Sequence, residues 1–437
     1  MRDFGKSDDP RVQAQLDRLA ALSLPQGRLG LKTIRALMER LGNPHRKLPP
    51  AFHVAGTNGK GSTCAFLRAM LEAEGYKVHV TTSPHLVRYN ERIRLAGELI
   101  SDMMLADLLE EVLDAGEDLG PSFFEATIAA AFLAFSRVPA DACVVEVGMG
   151  GRFDATNVLE PEALAACGIA ALGLDHERFL LAPEQGVPEE PMARIAFEKA
   201  GIAKRGVPLV TLSRQHDYPV EASDAIRAVA ALVEAPLFER NAGWAAKPTG
   251  NDSVLVYGEG QACYFHAPLG LTGRHQVTNA GLAVAMLRCQ DKLRLREEPM
   301  KAGLAAAHWP ARMQRLSSGP LTGAREVWLD GGHNPQAGAM LGAHFAGQRL
   351  HLVIGMIEGK DPASLIDPLG PAIASIIAVP VPGHDWHPAS AFGPNALPAP
   401  DVPSALAEIP EDGLPILIAG SLYLAGEVLR LNDELPD

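Results

Sequence analysis

The chain has 437 residues, 47% of them apolar and 21% charged. That balance belongs to a folded globular protein and excludes an intrinsically disordered one, and the length calls for two or three domains. The formal net charge of -13 argues against nucleic acid as the main partner, because a phosphate backbone is gripped by basic surface. It leaves room for a small anionic substrate in a local basic pocket.

In chain order, Asp9 to Gly42 has helical spacing of apolar residues at Val12, Leu16, Leu19, Ile34, Leu37 and Leu41, and Pro49-Pro50 breaks the pattern. Ala51 to Ala55 reads as a short strand leading into a glycine loop. Ser62 to Glu74 reads as a helix with one apolar face, ended by Gly75, and Tyr76 to Thr82 as a strand. This opening predicts a parallel βαβ unit. Phe124 to Arg137 then reads as a helix, Asp141 to Val147 and Ala163 to Leu172 as strands, Ile195 to Ala203 as a helix and Val207 to Thr211 as a strand. Ser253 to His266, with Gly258-Glu259-Gly260 inside it, predicts a hairpin, and Asn279 to Gln290 a helix. Four further apolar runs, Glu326–Asp330, His351–Ile354, Ile376–Val381 and Pro415–Ala419, predict a second α/β domain. The expected linker lies near 309–323, dividing the chain into domains 1–311 and 312–437.

Two further features bear on compartment. The five cysteines, Cys64, Cys143, Cys167, Cys263 and Cys289, are scattered, odd in number and without CxxC spacing, which reads as small buried hydrophobes in a reducing compartment. Met1 to Pro10 is polar and lacks a signal-peptide core, and Ala126 to Phe135 is too short to span a bilayer. A soluble cytoplasmic protein is the expectation, with no membrane partner.

The chemistry starts at Gly56-Thr57-Asn58-Gly59-Lys60-Gly61-Ser62. Phosphate oxygens need several donors at once. Glycines let backbone N–H groups turn inward, a helix N-terminus adds donors and partial positive charge, a lysine neutralises the outer phosphates, and a Ser/Thr hydroxyl can hold Mg²⁺. The order GxxGKG[ST] differs from the common GxxxxGK[ST] by Gly61, between Lys60 and Ser62. Strand before and helix after point to nucleotide binding.

Glu146 ends the apolar run Cys143-Val144-Val145 and is followed by Gly148, Gly150 and Gly151, then Arg152 and Asp154. A carboxylate at the end of a parallel strand beside a phosphate loop is a candidate Mg²⁺ ligand or a salt-bridged acid at a strand edge. His176, after Asp175, stands at the next strand end, as a packing histidine or a ligand. Lys199, in Phe197-Glu198-Lys199-Ala200-Gly201, reads by itself as a solvated helix lysine.

Taken together these residues resemble the folylpolyglutamate synthase/dihydrofolate synthase family, a branch of the Mur ligase superfamily. The resemblance runs in order through His53 to Ser62, Thr82 to Arg92, Phe123-Phe124-Glu125, Glu146 to Asn157, Leu174-Asp175-His176 and Glu198 to Gly201. It continues through Gly273 to Ala280, Trp309 to Gln314 and Leu329 to Pro335. It implies a Mur-ligase-like α/β fold: an N-terminal P-loop ATPase domain with a mostly parallel sheet, and a smaller C-terminal Rossmann-like domain. It implies an amide ligase in which ATP phosphorylates the carboxylate of dihydropteroate or a tetrahydrofolate, and L-glutamate's amino group attacks the acyl phosphate.

By the same resemblance, Lys60 and the loop amides from Gly56 to Ser62 hold ATP phosphates. Ser62, Ser83, Glu146 and His176 bind Mg²⁺, with two ions expected, and Lys199 matches a lysine that is carbamylated. Asn279, Arg312, Asp330 and His333 match residues that close over ATP. Pro84, His85, Arg88 and Phe124 fall in segments lining the pterin site, with Asp154 in a mobile loop beside it. The partners are small molecules, and the expected state is a monomer. One departure is the long stretch Glu177 to Glu190 after His176, which bears Pro183 and Pro188 and is followed by Pro191. Another is Gly331-Gly332, where many relatives carry Ala.

Two other readings compete. A cell-wall Mur ligase would keep the chemistry and change the acid; Ser83-Pro84-His85 and the Asp330 to His333 motif favour the folate branch. A P-loop switch would make no product; the missing NKxD motif and the second domain count against it.

Overall fold

The computed structural model describes residues 6–22, 30–214, 216–249, 253–260 and 262–436. Residues 1–5 of the polar N-terminus, 23–29 within the first helical segment and 261 within the expected hairpin lie outside it. The chain divides into two compact units. The first runs to Gly270 and resumes over Gln276–His308; the second comprises Leu271–His275 and the chain from Trp309 onward.

The first unit is built on an eight-stranded sheet: β1 Ala51–Ala55, β2 Val78–Thr81, β3 Ile93–Leu95, β4 Glu98–Leu99, β5 Ala142–Glu146, β6 Leu164–Ile169, β7 Leu209–Thr211 and β8 Leu237–Glu239. Their order across the sheet is β4-β3-β2-β5-β1-β6-β7-β8. The expected βαβ unit is present, but β5 lies between its two strands: β1 pairs in parallel with β5 and β6, and β2 pairs in parallel with β5. β1, β5 and β6 are buried along their whole length. That is why they read as unbroken apolar runs rather than alternating ones.

Around the sheet are α1 Pro10–Ala21, α2 Lys32–Arg40, α3 Lys60–Glu74, α4 Asp102–Gly116, α5 Phe123–Arg137, α6 Glu177–Leu180, α7 Pro191–Ala200, α8 Val220–Val233, α9 Arg274–Arg288 and α10 Glu297–Ala306. Their ends follow from local chemistry. Ser122 and Glu125 form a capping box at the start of α5: the Ser122 N–H donates to Glu125 Oε2 (2.8 Å) and the Glu125 N–H to Ser122 Oγ (3.2 Å). Part of the Phe123-Phe124-Glu125 motif is therefore a helix start. Gly75 ends α3 in the left-handed region, φ 101°.

The hairpin supplies two strands, β10 Val254–Glu259 and β11 Ala262–Pro268, of a three-stranded antiparallel sheet completed by β9 Trp244–Thr249, in the order β11-β10-β9. Trp244, Tyr257 and Phe265 stack in series on one face, with centroids 6.4 and 5.7 Å apart. Cys64, Cys143 and Cys167 are buried and Cys289 half-buried, all four without a disulfide.

The second unit holds β12 Gln314–Arg315, β13 Val327–Asp330, β14 Leu350–Ile354, β15 Ile373–Ala378, β16 Leu397–Pro398 and β17 Ile416–Ala419, in the order β12-β13-β17-β14-β15-β16. The four apolar runs of the sequence are its central parallel strands; the two-residue strands β12 and β16 are edges too short to leave a periodic signal. Helices α11 Pro335–His344, α12 Ala363–Leu369, α13 Val402–Glu408 and α14 Leu422–Leu431 complete it. Leu341, Phe345, Leu352, Ile354, Leu365 and Leu417 anchor its core. Among the described residues, no helix is long and apolar enough to cross a membrane.

Candidate active site

In an open parallel sheet the loops at the carboxyl ends of the strands converge on one crevice, where the strand order reverses direction. Here β1 leads into the glycine loop, β5 ends on Glu146, and the segment after β6 carries Asp175 and His176. Three neighbouring strands thus deliver three of the predicted groups to one edge.

The glycine loop is held from below by its neighbour. The Thr57 and Asn58 N–H groups both donate to the Ala171 carbonyl (2.8 and 3.1 Å), and Thr57 Oγ1 donates to the Gly173 carbonyl (2.9 Å). Those two amides are spent on shape. The donors that can face a phosphate are the first-turn N–H groups of α3, at Lys60, Gly61 and Ser62, which have no carbonyl of their own helix to bond. Gly59 sits at φ 82°, where a Cβ would land on the Asn279 side chain. Lys60 Nζ donates to the Gly56 carbonyl at 3.1 Å.

Helix α9 closes the other side. Asn279 Nδ2 donates to Gln276 Oε1 (3.0 Å), and Gln276 Nε2 donates to Ser62 Oγ (3.2 Å). Gln276 is completely buried. It lies within the Gly273 to Ala280 stretch that carries the resemblance, without a role of its own there; its packing against Ser62 gives it one.

Glu146 is buried at the end of β5, and its Oε2 accepts from the Ser83 N–H at 3.1 Å. The carboxylate and the Ser83 turn are therefore joined directly. His176 has left-handed backbone, φ 52°, and its N–H donates to Asp175 Oδ1 at 2.8 Å; its ring is partly exposed. A non-glycine residue held there is the kind of strain that gathers at functional sites. Among the described residues no group of three or more His, Cys, Asp and Glu side chains could hold a metal ion. The predicted set, two hydroxyls, one carboxylate and one imidazole, instead fits a cation bound partly through nucleotide phosphates, as Mg²⁺ usually is.

Lys199 is buried, and its Nζ donates to the Gly56 carbonyl at 2.9 Å. Burial first, and then the Lys60 charge, push its pKa down to about 7, while Asp175 and Asp154 pull the other way. It is not a solvated lysine.

Asp154 is also buried, and its carboxylate is engaged. Oδ1 accepts from the Thr156 N–H (3.0 Å) and Thr156 Oγ1 (2.5 Å), and Oδ2 from the Met149 N–H (2.8 Å). Thr156 Oγ1 lies 2.8 Å from His53 Nε2, and His53, with its pKa lowered to about 3 by burial, is neutral. Asp154 therefore holds the turn after β5 together, and burial raises its own pKa.

In the segment read as pterin-lining, Pro84 and Arg88 are exposed and His85 is buried. His85 Nδ1 accepts from Arg92 Nε at 2.8 Å, and the Arg92 guanidinium lies 5.5 Å from the ring centroids of both Tyr89 and Phe123. The Phe124 ring packs where a Cβ on Gly148 would stand, which accounts for glycine directly after Val147.

Arg312, Asp330 and His333 belong to the second unit and group there. The buried Asp330 carboxylate accepts from the Met313 and Gly332 N–H groups, each at 2.8 Å, and His333 Nδ1 lies 3.2 Å from the Gly331 carbonyl. Burial raises the Asp330 pKa and the nearby Arg312 opposes that. A Cβ at Gly332 would come within 2.7 Å of Asp330 Oδ1; the second glycine keeps this turn tight.

No protein-family model matches the chain. Among curated proteins it is 34% identical to the dihydrofolate synthase/folylpolyglutamate synthase of Bacillus subtilis, over 92% of this chain and 94% of that one. It is 32% identical to the Escherichia coli protein of the same name, over 85% and 80%. Among solved structures it matches Escherichia coli FolC in complex with DHPP and ADP with a TM-score of 0.83, 29% identity and 98% of each chain covered. It matches the Yersinia pestis bifunctional enzyme complexed with AMPPNP and Mn ion with a TM-score of 0.81, 28% identity and 96% and 97% covered. With the glycine loop, the Glu146 strand end and the buried Lys199 in place, this chain belongs to the dihydrofolate synthase/folylpolyglutamate synthase family.

Proposed function

We propose that the chain is an ATP-dependent ligase that adds L-glutamate to dihydropteroate and to tetrahydrofolates. The observation that carries this reading is the convergence of the Gly56 to Ser62 loop, Glu146 and Lys199 on one sheet edge. Support comes from relatives whose names carry both activities and from solved neighbours holding ADP, AMPPNP, Mn or L-glutamate.

The reaction is a phosphoryl transfer followed by an acyl transfer. A substrate carboxylate oxygen takes the γ-phosphoryl group of ATP and ADP leaves. The glutamate amine then attacks the acyl carbon, phosphate departs, and the nitrogen loses a proton. Little covalent chemistry falls to the protein; its work is positioning and charge neutralisation. Lys60 and the first-turn amides of α3 meet the outer phosphates, and Asn279 keeps the loop in register. Ser62, Ser83, Glu146 and His176 would hold Mg²⁺, which when bound would offset charge on the phosphoryl oxygens; two ions are expected. Arg312, Asp330 and His333 match family residues that bind ATP, and Pro84, His85, Arg88, Phe124 and Asp154 belong to the pterin side. The ATPase domain is assigned to the unit that ends at His308 and the second domain to the chain from Trp309, three residues before the expected division at 311/312, with Leu271–His275 counted in the second unit. Lys199, close to half neutral at pH 7, would add CO2 at the lone pair of its neutral Nζ and lose a proton to become a carbamate. The enzyme works as a cytoplasmic monomer.

The test is direct. Purified protein with 7,8-dihydropteroate, L-glutamate and Mg-ATP is expected to form dihydrofolate and release phosphate. Absence of that product alongside intact extension of tetrahydrofolate would remove the first activity and leave the second.

A further inference from the structure

Three segments of the proposed site meet at a ring of four charged side chains. The turn after β5 supplies Arg152, the long connection after His176 supplies Glu184, and α7 supplies Arg194 and Glu198. Arg152 donates to both Glu184 oxygens, from Nη1 to Oε1 at 3.2 Å and from Nη2 to Oε2 at 2.5 Å. It also donates to both Glu198 oxygens, from Nε at 3.0 Å and Nη2 at 2.7 Å. Arg194 Nη2 lies 2.9 Å from Glu184 Oε2 and 3.0 Å from Glu198 Oε1. The side chains of Arg194 and Glu198 are 7% and 6% exposed, those of Arg152 and Glu184 21% and 15%. Two cations alternate with two anions, so the ring is neutral.

Backbone contacts tie the ring to the site. The Arg152 N–H donates to the Glu198 carbonyl at 2.7 Å, one residue before Lys199. Arg194 Nε donates to the Leu180 carbonyl at 3.1 Å, at the end of the short helix that His176 begins. The Arg152 guanidinium also lies over Phe153 and Phe197, 4.2 and 4.9 Å from their centroids.

We propose that Glu184 and Arg194 are a positioning pair: they lock the long connection after His176 onto the Arg152–Glu198 pair, and so set the His176 turn and the Lys199 helix for the metal–ATP complex. The nature of that ligand rests on the ligase reading above. The physical reason is charge balance in a mostly buried place. Removing one partner leaves an uncompensated buried charge, whereas removing both leaves the neutral Arg152–Glu198 pair intact.

The experiment compares E184Q, R194Q and the double variant E184Q/R194Q in the full chain, by calorimetric titration with Mg-ATP and by the Mg²⁺ concentration that half-saturates binding. Each single variant is expected to weaken Mg²⁺-dependent binding ~10-fold, and the double variant to bind no more weakly than the weaker single, the non-additivity of two residues that make one lock. Independent losses that add in the double variant, or singles that bind like wild type, overturn the proposal. Where a single variant does not fold, the double variant and E184D carry the test. E184D keeps the charge at shorter reach, and faster amide exchange is expected within 177–190 with the sheet unchanged. Unaltered exchange there, or a double variant that binds within ~3-fold of wild type, overturns it. Mg-ATP binding needs neither pterin nor glutamate. A wild type that binds Mg-ATP but makes no folate product would sink the ligase reading and leave the pair's test standing.

Discussion

Lys199 Nζ and Lys60 Nζ bond the same acceptor, the Gly56 carbonyl oxygen, at 2.9 and 3.1 Å. Two ammonium groups on one buried oxygen repel, and the better-buried one yields. Carbamylation would turn Lys199 from the second cation into an anion facing Lys60, converting repulsion into attraction.

If Lys199 is carbamylated as proposed, its state depends on pH and on CO2. Only the neutral amine adds CO2, so in limiting bicarbonate the activity is expected to rise as pH passes about 7. Lys199→Ala should lose on the order of 10²-fold in kcat, with partial rescue by small carboxylates. Stability follows the same sign. The folded-state pKa of about 7 lies below the ordinary 10.5, so between those values the unfolded chain binds more protons. Stability in bicarbonate-free buffer should therefore rise with pH across that window relative to Lys199→Met. Urea midpoints at pH 6 and 9 measure it; the same midpoint difference between wild type and variant at both would refute the neutral-amine reading.

Lys60→Ala removes the charge expected to face the outer phosphates. Turnover should fall by on the order of 10³-fold while circular dichroism and melting stay near wild type. Normal turnover would contradict the assignment of the loop.

Glu146→Gln keeps the shape of the strand end and its acceptor for the Ser83 N–H but loses the negative charge. The Mg²⁺ concentration for half-maximal rate should rise ~10-fold or more. Replacing Mg²⁺ with Mn²⁺ should recover part of the rate. An unchanged Mg²⁺ requirement would take Glu146 out of the metal site.

Gly59→Ala places a Cβ at φ 82° and against Asn279. The left-handed backbone alone costs about 1–2 kcal/mol. The displaced Asn279 should also raise KM for ATP more than it lowers kcat. Equal or better ATP affinity in this variant would show that the loop and α9 are independent.

The central strands and the nucleotide loop were legible because their signals are local. Ala51–Ala55 and the Cys143-Val144-Val145-Glu146 run are buried along their length and, His53 and Glu146 apart, apolar, and the glycines and Lys60 lie within a few residues of each other. The helix α4, Asp102–Gly116, carries as strong a periodicity, with Leu105, Leu108, Leu109 and Val112 buried. The third strand of the small sheet, Trp244–Thr249, was missed because Pro248 and Lys247 interrupt its pattern, and its partner strand is what defines it.

By itself the sequence determined that a phosphate loop follows the first strand, that an acid closes a neighbouring one, and that ordered motifs match one ligase family. Those are statements about residues close in the chain. Only the tertiary structure decided that Lys199 is buried against the Gly56 carbonyl with its pKa pulled down, rather than a solvated cation, and that Asp154 and His85 are held by Thr156, Met149 and Arg92. It also decided that Gln276 bonds Ser62 and that Glu184 completes a neutral ring. Each of these depends on desolvation or on a partner far along the chain. Burial and long-range pairing are products of packing, and a one-dimensional pattern carries neither.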